Sequence, residues 1–510
     1  VKNLALAVAL AAVGCAQETP ATPPPVSTAP AAATPAPSPV ASAPHEQPPP
    51  SLASKLSPFP HVDRAHLPSG LEVDTVEAHA LPVVEIRVLV HAGSGFQSAE
   101  GVAEVTGEML KEGGSRAHTG VDFLRRVESL GADLGVDVGA DATTLSLSVV
   151  SSELDEAMRL LGEIVVTPRF DPAELGKVKA RLADELRDAA RGSGHYAAER
   201  VMTTALFPPS SPYAHEQMLA SDIPKIDERA VREFHRKFFV ASNAVVLVAG
   251  DTTPPVVRAA VDKHFGPWAA ASNASPAPAP PPTVDFPPAI APEVTRVVVA
   301  DRPQSVQSDV FVSQLIPERH DPNWPGVRVA MQILGGGVSS RLFNDVREKR
   351  SLAYSASDDY SQLAHGAQPF FAHAGTQTPR TVDTVQGVLD DLASMKLEPA
   401  NPAEVERARR YLSDVFAVRL ETLGAVANTV ATSRTLDLPD TYWDDYRAAL
   451  RQVSPEAAND TSAKIFHPDR VLIVVAGDAA QIAEPLARFG EVTVVDPEHD
   501  FRVVRTVPKK

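Results

Sequence analysis

Runs of β-branched residues recur along the chain, and two of them, VVEIRVLVHAG (83–93) and VVLVAGD (245–251), are bounded by Gly and Asn. Such runs predict buried strands. Elsewhere the period changes. Leu175, Val178, Leu182 and Leu186 return at every third or fourth position, which predicts a helix with one buried face. Asp171-Pro172 and Asn401-Pro402 each place an N-cap residue before a proline at the first helical position, so a helix is predicted to start at both. The stretch GVAEVTGEML (101–110) predicts a further apolar helix carrying polar insertions.

These elements occur twice. KFFVASNAVVLVAGD (237–251) aligns with KIFHPDRVLIVVAGD (464–478), and DPAELGKVKARL (171–182) aligns with NPAEVERARRYL (401–412). The spacing between the two matches differs by about three residues, which indicates a duplicated domain. Strands and helices interleave without strict alternation and without a dinucleotide-type glycine fingerprint. The expected fold class is α+β, built from two homologous domains.

Composition divides the chain further. Residues 16–57 are mostly Ala, Pro, Ser and Thr, as in TPATPPPVSTAPAAATPAPSPV, and such a segment cannot bury enough apolar surface to fold. It is expected to be an extended tether. A second Pro/Ala run at 275–293 separates domains expected at 58–274 and 294–510. The net charge of −17 argues against nucleic acid, because phosphate binding needs clustered Lys and Arg. A single cysteine, Cys15, excludes a disulfide framework.

The position of that cysteine is informative. VKNLALAVALAAVGCAQ has one early cation, Lys2, a short apolar run and small residues before Cys15. The run is too short to span a bilayer and fits a secretory signal at 1–15. It resembles a bacterial lipobox, so Cys15 is expected to carry a lipid anchor. The expected location is the cell envelope, on the periplasmic face of the outer membrane.

HAGSGFQSAEGVAEVTGEMLKEGG, LFPPSSPYAHE, the two VAGD strand ends and LGGGVSSRLFNDVREKRSLAYSASDDYS follow one another in a recognisable order. Together they resemble the pitrilysin/insulinase family of zinc peptidases, over almost everything from about residue 57 onward. The resemblance implies paired α/β-roll domains and an inverted zinc motif, H-x-x-E-H, on a helix of the first domain. In that motif two imidazoles one helical turn apart grip the metal, and the Glu between them deprotonates the bound water. The matching positions here are Glu104, Gly107 and Glu108, with the later ligand position at Glu185. None of the fifteen histidines starts H-x-x-E-H or H-E-x-x-H. No zinc is therefore expected in this chain. Glu104, Glu108 and Glu185 could hold a hard cation such as calcium, but no calcium loop accompanies them, and Glu104 and Glu108 are read as solvated charges.

The resemblance also implies that an Arg and a Tyr in the second domain contact substrate and stabilise the transition state. The matching residues are Arg347 and Tyr354 in VREKRSLAY. Read from the residues alone, the same stretch is an exposed helix with a packed tyrosine. Gly335-Gly336-Gly337 lacks the G-K-[ST] ending of a phosphate loop and reads as a turn, while Arg341 is either structural or substrate-facing.

The resulting expectation is a non-catalytic subunit of a heteromeric zinc peptidase. It would bind peptides and lend Arg347 and Tyr354 to a composite site. The zinc would sit on a homologous partner with an intact H-x-x-E-H. The alternative is a peptide-binding or scaffolding protein without proteolytic role. A self-sufficient peptidase is disfavoured because the general base is missing.

Overall fold

The computed structural model describes residues 57–272 and 283–510. Cys15, the leader and nearly all of the proposed tether lie outside them. The described residues belong to one compact unit built on two sheets. The first has six strands, β1 (Asp63–His66), β2 (Glu72–Glu77), β3 (Val83–Val90), β4 (Gly135–Val138), β5 (Thr143–Val150) and β6 (Ala244–Gly250), in the order β1-β2-β6-β3-β5-β4. The second has seven, β7 (Arg296–Asp301), β8 (Gln307–Ile316), β9 (Ala353–Tyr360), β10 (Gln368–Gln377), β11 (Leu472–Gly477), β12 (Val492–Asp496) and β13 (Arg502–Val507), in the order β13-β12-β7-β11-β8-β10-β9. Both are mixed sheets. β2 and β6 run parallel in the first, β7 runs parallel to β11 and β12 in the second, and the other pairs are antiparallel.

The repeat legible in the sequence is the repeat of these sheets. β6 and β11, the two VAGD strands, lie inside their sheets and are buried along their whole length. A strand buried on both faces reads as an unbroken apolar run, which is why neither alternates. One face of each packs on helices of its own half. Val84, Ile86 and Val88 of β3 and Val246 and Val248 of β6 join a core with the helices Val102–Glu112 and Leu154–Val166. Val310 and Val312 of β8 and Ile473 and Val475 of β11 do the same with the helix Trp324–Leu334.

The opposite faces are covered reciprocally. Val426, Ala427 and Val430 of the helix Leu423–Thr435 pack on Leu247 and Ala249 of β6. In return, Ala197, Ala198 and Val201 of the helix Gly194–Leu206 pack on Val474 and Ala476 of β11. Each half thus lends one helix to the other's sheet. Both helices follow the long helices whose caps the sequence predicts. Asp171 accepts from Ala173 N at 2.9 Å, and Asn401 forms a capping box with Glu404.

Polar groups pin the exchange. Arg434 Nε donates to Asp74 Oδ2 at 2.6 Å, and its Nη1 lies 2.9 Å from Asp440 Oδ1. Arg87 donates to Asn428 at 3.0 Å. Asp141 accepts from Tyr213 at 2.6 Å and from the Ala364 amide, across the seam, at 2.8 Å.

Candidate functional site

The helix Val102–Glu112 buries Val102, Val105, Met109 and Leu110, and this apolar face fixes which way its polar insertions point. Glu104 points inward. Its Oε2 is shut off from solvent and has no hydrogen-bond partner. Burial pushes its carboxyl up to about 8, with Glu216 and Glu100 adding to the shift. Glu216 is itself pushed up to about 7, by burial first and then by Glu199 and Asp141. Glu104 is therefore not the solvated charge expected from the sequence. It is half-buried, with one carboxylate oxygen enclosed and unpartnered, because the helix turns it toward the fold beside other acids.

Glu108, one turn on, meets a different neighbour. Arg181 of the helix Pro172–Gly192 reaches across and places Nη2 2.5 Å from Glu108 Oε2 and 2.9 Å from Glu112 Oε1. Its Nη1 lies 2.9 Å from Glu185 Oε1. A guanidinium thus stands among the carboxylates, one of which occupies a family ligand position on each helix. Arg181 makes no ion pair with Glu104, on which the charges of Glu216 and Glu100 act instead. Among the described residues no group of three or more His, Cys, Asp or Glu is arranged to hold a metal ion.

Gly107 closes the locus sterically. A Cβ there would stand 2.6 Å from Val138 Cγ2 and 3.4 Å from Val136 Cγ1, both on β4. Real side chains do not tolerate the first distance, so a glutamate there requires the Val138 side chain to give way. The residues present do not fit zinc. The imidazoles and the general-base carboxylate are absent, and a resident cation pairs with Glu108, Glu112 and Glu185.

Arg347 and Tyr354 come together in the second half. Phe343–Lys349 forms a π-helical segment, a rare wide turn that often marks functional positions. It ends where Leu352 N donates to Val346 O at 2.8 Å, and β9 starts immediately after. The Arg347 guanidinium carbon lies 4.5 Å from the Phe343 ring centre and 5.2 Å from that of Tyr354. Tyr354 stands on the sheet edge and is 85 % exposed. It is not the packed tyrosine of the residue-only reading. A cation stacked on an exposed ring, with the phenol hydroxyl free, offers a donor pair to an extended peptide or a developing oxyanion.

The neighbouring motifs are structural. Arg341 donates to Ser394 O at 2.9 Å and pairs with Glu404 at 3.2 Å, which ties three helical segments together. Gly335 is required because a Cβ would lie 2.3 Å from Asp358 N, and Gly337 has a positive φ of 136°. Sequence reasoning missed Arg181 and Val138. Arg181 had a visible signal, its i,i+4 relation to Glu185, but its approach to Glu108 spans 73 positions and has none.

Comparison with known families now decides the lineage. The family described as insulinase, peptidase family M16, matches residues 73–207, and the one described as peptidase M16 inactive domain matches residues 225–412. The chain belongs to the insulinase family. Among its relatives, an uncharacterized zinc protease of Mycobacterium leprae is 26 % identical over 375 residues, covering 71 % of this chain and 79 % of that protein. A Helicobacter pylori protein named non-peptidase homolog is 23 % identical over 391 residues, covering 75 % of this chain and 86 % of the homologue. The crystal structure of a peptidase M16 inactive domain from Pseudomonas fluorescens superposes with a TM-score of 0.74 at 26 % identity, covering 82 % of this chain and 98 % of that one. A Helicobacter pylori protease structure gives 0.71 at 19 % identity over 82 % of this chain and 100 % of its own, a likeness of fold. This insulinase-family chain thus has the two-domain α/β architecture, with a degenerate first-domain motif.

Proposed function

We propose that this chain is the non-catalytic subunit of a heteromeric zinc metallopeptidase and supplies Arg347 and Tyr354 to a composite active site. The zinc and the general base would come from a homologous chain with an intact H-x-x-E-H. The observation that carries the reading is the exposed Arg347–Tyr354 pair. Its tyrosine is 85 % exposed with the arginine stacked against it, an arrangement that burying apolar surface does not require. The closed locus at Gly107 and Arg181 supports the other half of the proposal.

The test is reconstitution with the H-x-x-E-H homologue of the same cell and an assay of peptide cleavage. Tyr354→Phe is expected to lower kcat about a hundredfold, as loss of an oxyanion donor does elsewhere, and Arg347→Ala to lower kcat/KM. Unchanged kinetics in both variants would overturn the composite site. A second reading is favoured by the name of the Helicobacter relative: a peptide-binding subunit without turnover. It predicts saturable peptide binding and no cleavage in any pairing.

The same proposal places the chain in the bacterial envelope through Cys15, on the lipobox-like pattern of residues 1–15. Cys15→Ala is expected to move the protein from the membrane to the soluble fraction. Membrane retention of that variant would remove the anchor.

A further inference from the structure

Behind the π-helical segment lies a polar cavity of about 650 Å³. It is walled by that segment, by the helix Thr381–Leu397 and by the first turns of the helix Pro402–Arg419. Asn344, Asp345 and Lys349 of the segment line it, and Arg347 does not. Its charges divide into committed and free. Arg350 is held 2.6 Å from Asp345 and 2.9 Å from Asp390, and Arg341 is engaged by Ser394 and Glu404.

Asp391 has no such partner. It lines the cavity, is only 6 % exposed, and its Oδ2 accepts no hydrogen bond. It makes no ion pair within 4 Å among the described residues. Burial, with Asp345 next, pushes its carboxyl up to about 7. A buried carboxyl left without a donor is costly, and native structures rarely keep one unless something supplies the donor. Lys349 and Arg407 also line the cavity, are exposed, and pair with no carboxylate among the described residues.

An enclosed acceptor and two unpaired cations around one cavity describe the complement of a zwitterion. A bare divalent cation is the poorer fit, because no three metal-ligating side chains converge here. The volume suits a small organic molecule. We propose that this cavity binds a free amino acid or dipeptide, its ammonium group donating to Asp391 and its carboxylate facing Lys349 and Arg407. The site is separate from the Arg347–Tyr354 surface and stands or falls independently of the composite-site reading. Because both share the π-helical segment, a bound ligand would stiffen the element that presents Arg347.

The experiment is calorimetric titration of the full chain with alanyl-alanine, its N-acetyl derivative and its C-terminal amide. The free dipeptide is expected to bind, and acetylation to weaken binding about tenfold or more, the cost of a lost charge-assisted hydrogen bond. Asp391→Asn is expected to abolish that preference, and the Lys349→Ala/Arg407→Ala double variant to abolish preference for acid over amide. The proposal is overturned if the free and acetylated dipeptides bind alike, if no saturation occurs below about 10 mM, or if Asp391→Asn binds like the unaltered protein. The comparison of dipeptides uses the unaltered chain and does not depend on any variant folding.

Discussion

Glu104 and Glu108 are one helical turn apart and carry the same group, yet their chemistry diverges. Glu108 has a guanidinium at 2.5 Å, whereas Glu104 has an enclosed oxygen without a partner and a carboxyl pushed up to about 8. The sign of the consequence follows from linkage. The folded protein holds the Glu104 proton at a pH where the unfolded chain, near 4.5, has released it, so stability falls as pH rises. The fall begins above the unfolded value and ends near 8, with a limiting slope of about 1.4 kcal/mol per pH unit. Glu216, raised for the same reason, adds to the lower part of that window. Glu104→Gln is expected to flatten the decline and to be more stable than the unaltered chain at pH 8. Denaturant unfolding across pH 5 to about 8.5 would show it; parallel curves for the two proteins would place the Glu104 proton elsewhere. At this scale the sequence revealed what was missing and misjudged what replaced it. The spacing of Glu104, Gly107 and Glu108 exposed the lost motif. Arg181 and Val138, which fill the vacated locus, are brought there by a second helix and a sheet edge, and no local pattern announces either.

At the scale of elements, the caps and apolar periods were readable because each depends on neighbours a few positions away. Asp171-Pro172 and Asn401-Pro402 start helices in the structure as local chemistry requires. The π-helical turn at Phe343–Lys349 was not readable, since FNDVREK is an ordinary helical sequence with no local mark of the widening. The exchange of helices was also hidden. An apolar face such as Ala197, Ala198 and Val201 tells that something covers it, not that the other half's sheet does. Arg434 is the polar test of that exchange. Its side chain is 6 % exposed and pairs with Asp74, which is wholly buried, and with Glu72 at 3.0 Å. Removing it leaves buried Asp74 with only Arg64, 3.7 Å away and shared with Glu72 and Asp440, so Arg434→Ala is expected to cost about 3 kcal/mol at pH 8. The loss should shrink at pH 5, where Asp74, already raised by burial, can take up a proton instead. Equal losses at both pH values would show that lost packing of the arginine, and not the stranded carboxylate, sets the cost.

For the whole molecule, reciprocal covering means the two halves are one folding unit despite being two copies of one domain. Leu247 and Ala249 of the first sheet and Val474 and Ala476 of the second are buried by helices from the opposite half. Separated, each half would expose a strip of apolar sheet of a kind that soluble monomers seldom leave open. A body closed in this way does not act as a clamp by parting its own halves. A peptide lying on Arg347 and Tyr354 would need a second chain to enclose it, which is the geometry the composite-site proposal requires. The expectation can be tested by placing a protease site between Ser272 and Thr283 and cutting the purified protein there. The halves should separate on a denaturing gel yet elute together at the size of the uncut chain, and the second half expressed alone should aggregate. Two independently soluble halves eluting apart would mean that the exchanged helices contribute little. The closed body, and with it the argument that enclosure must come from another chain, would then have to be given up.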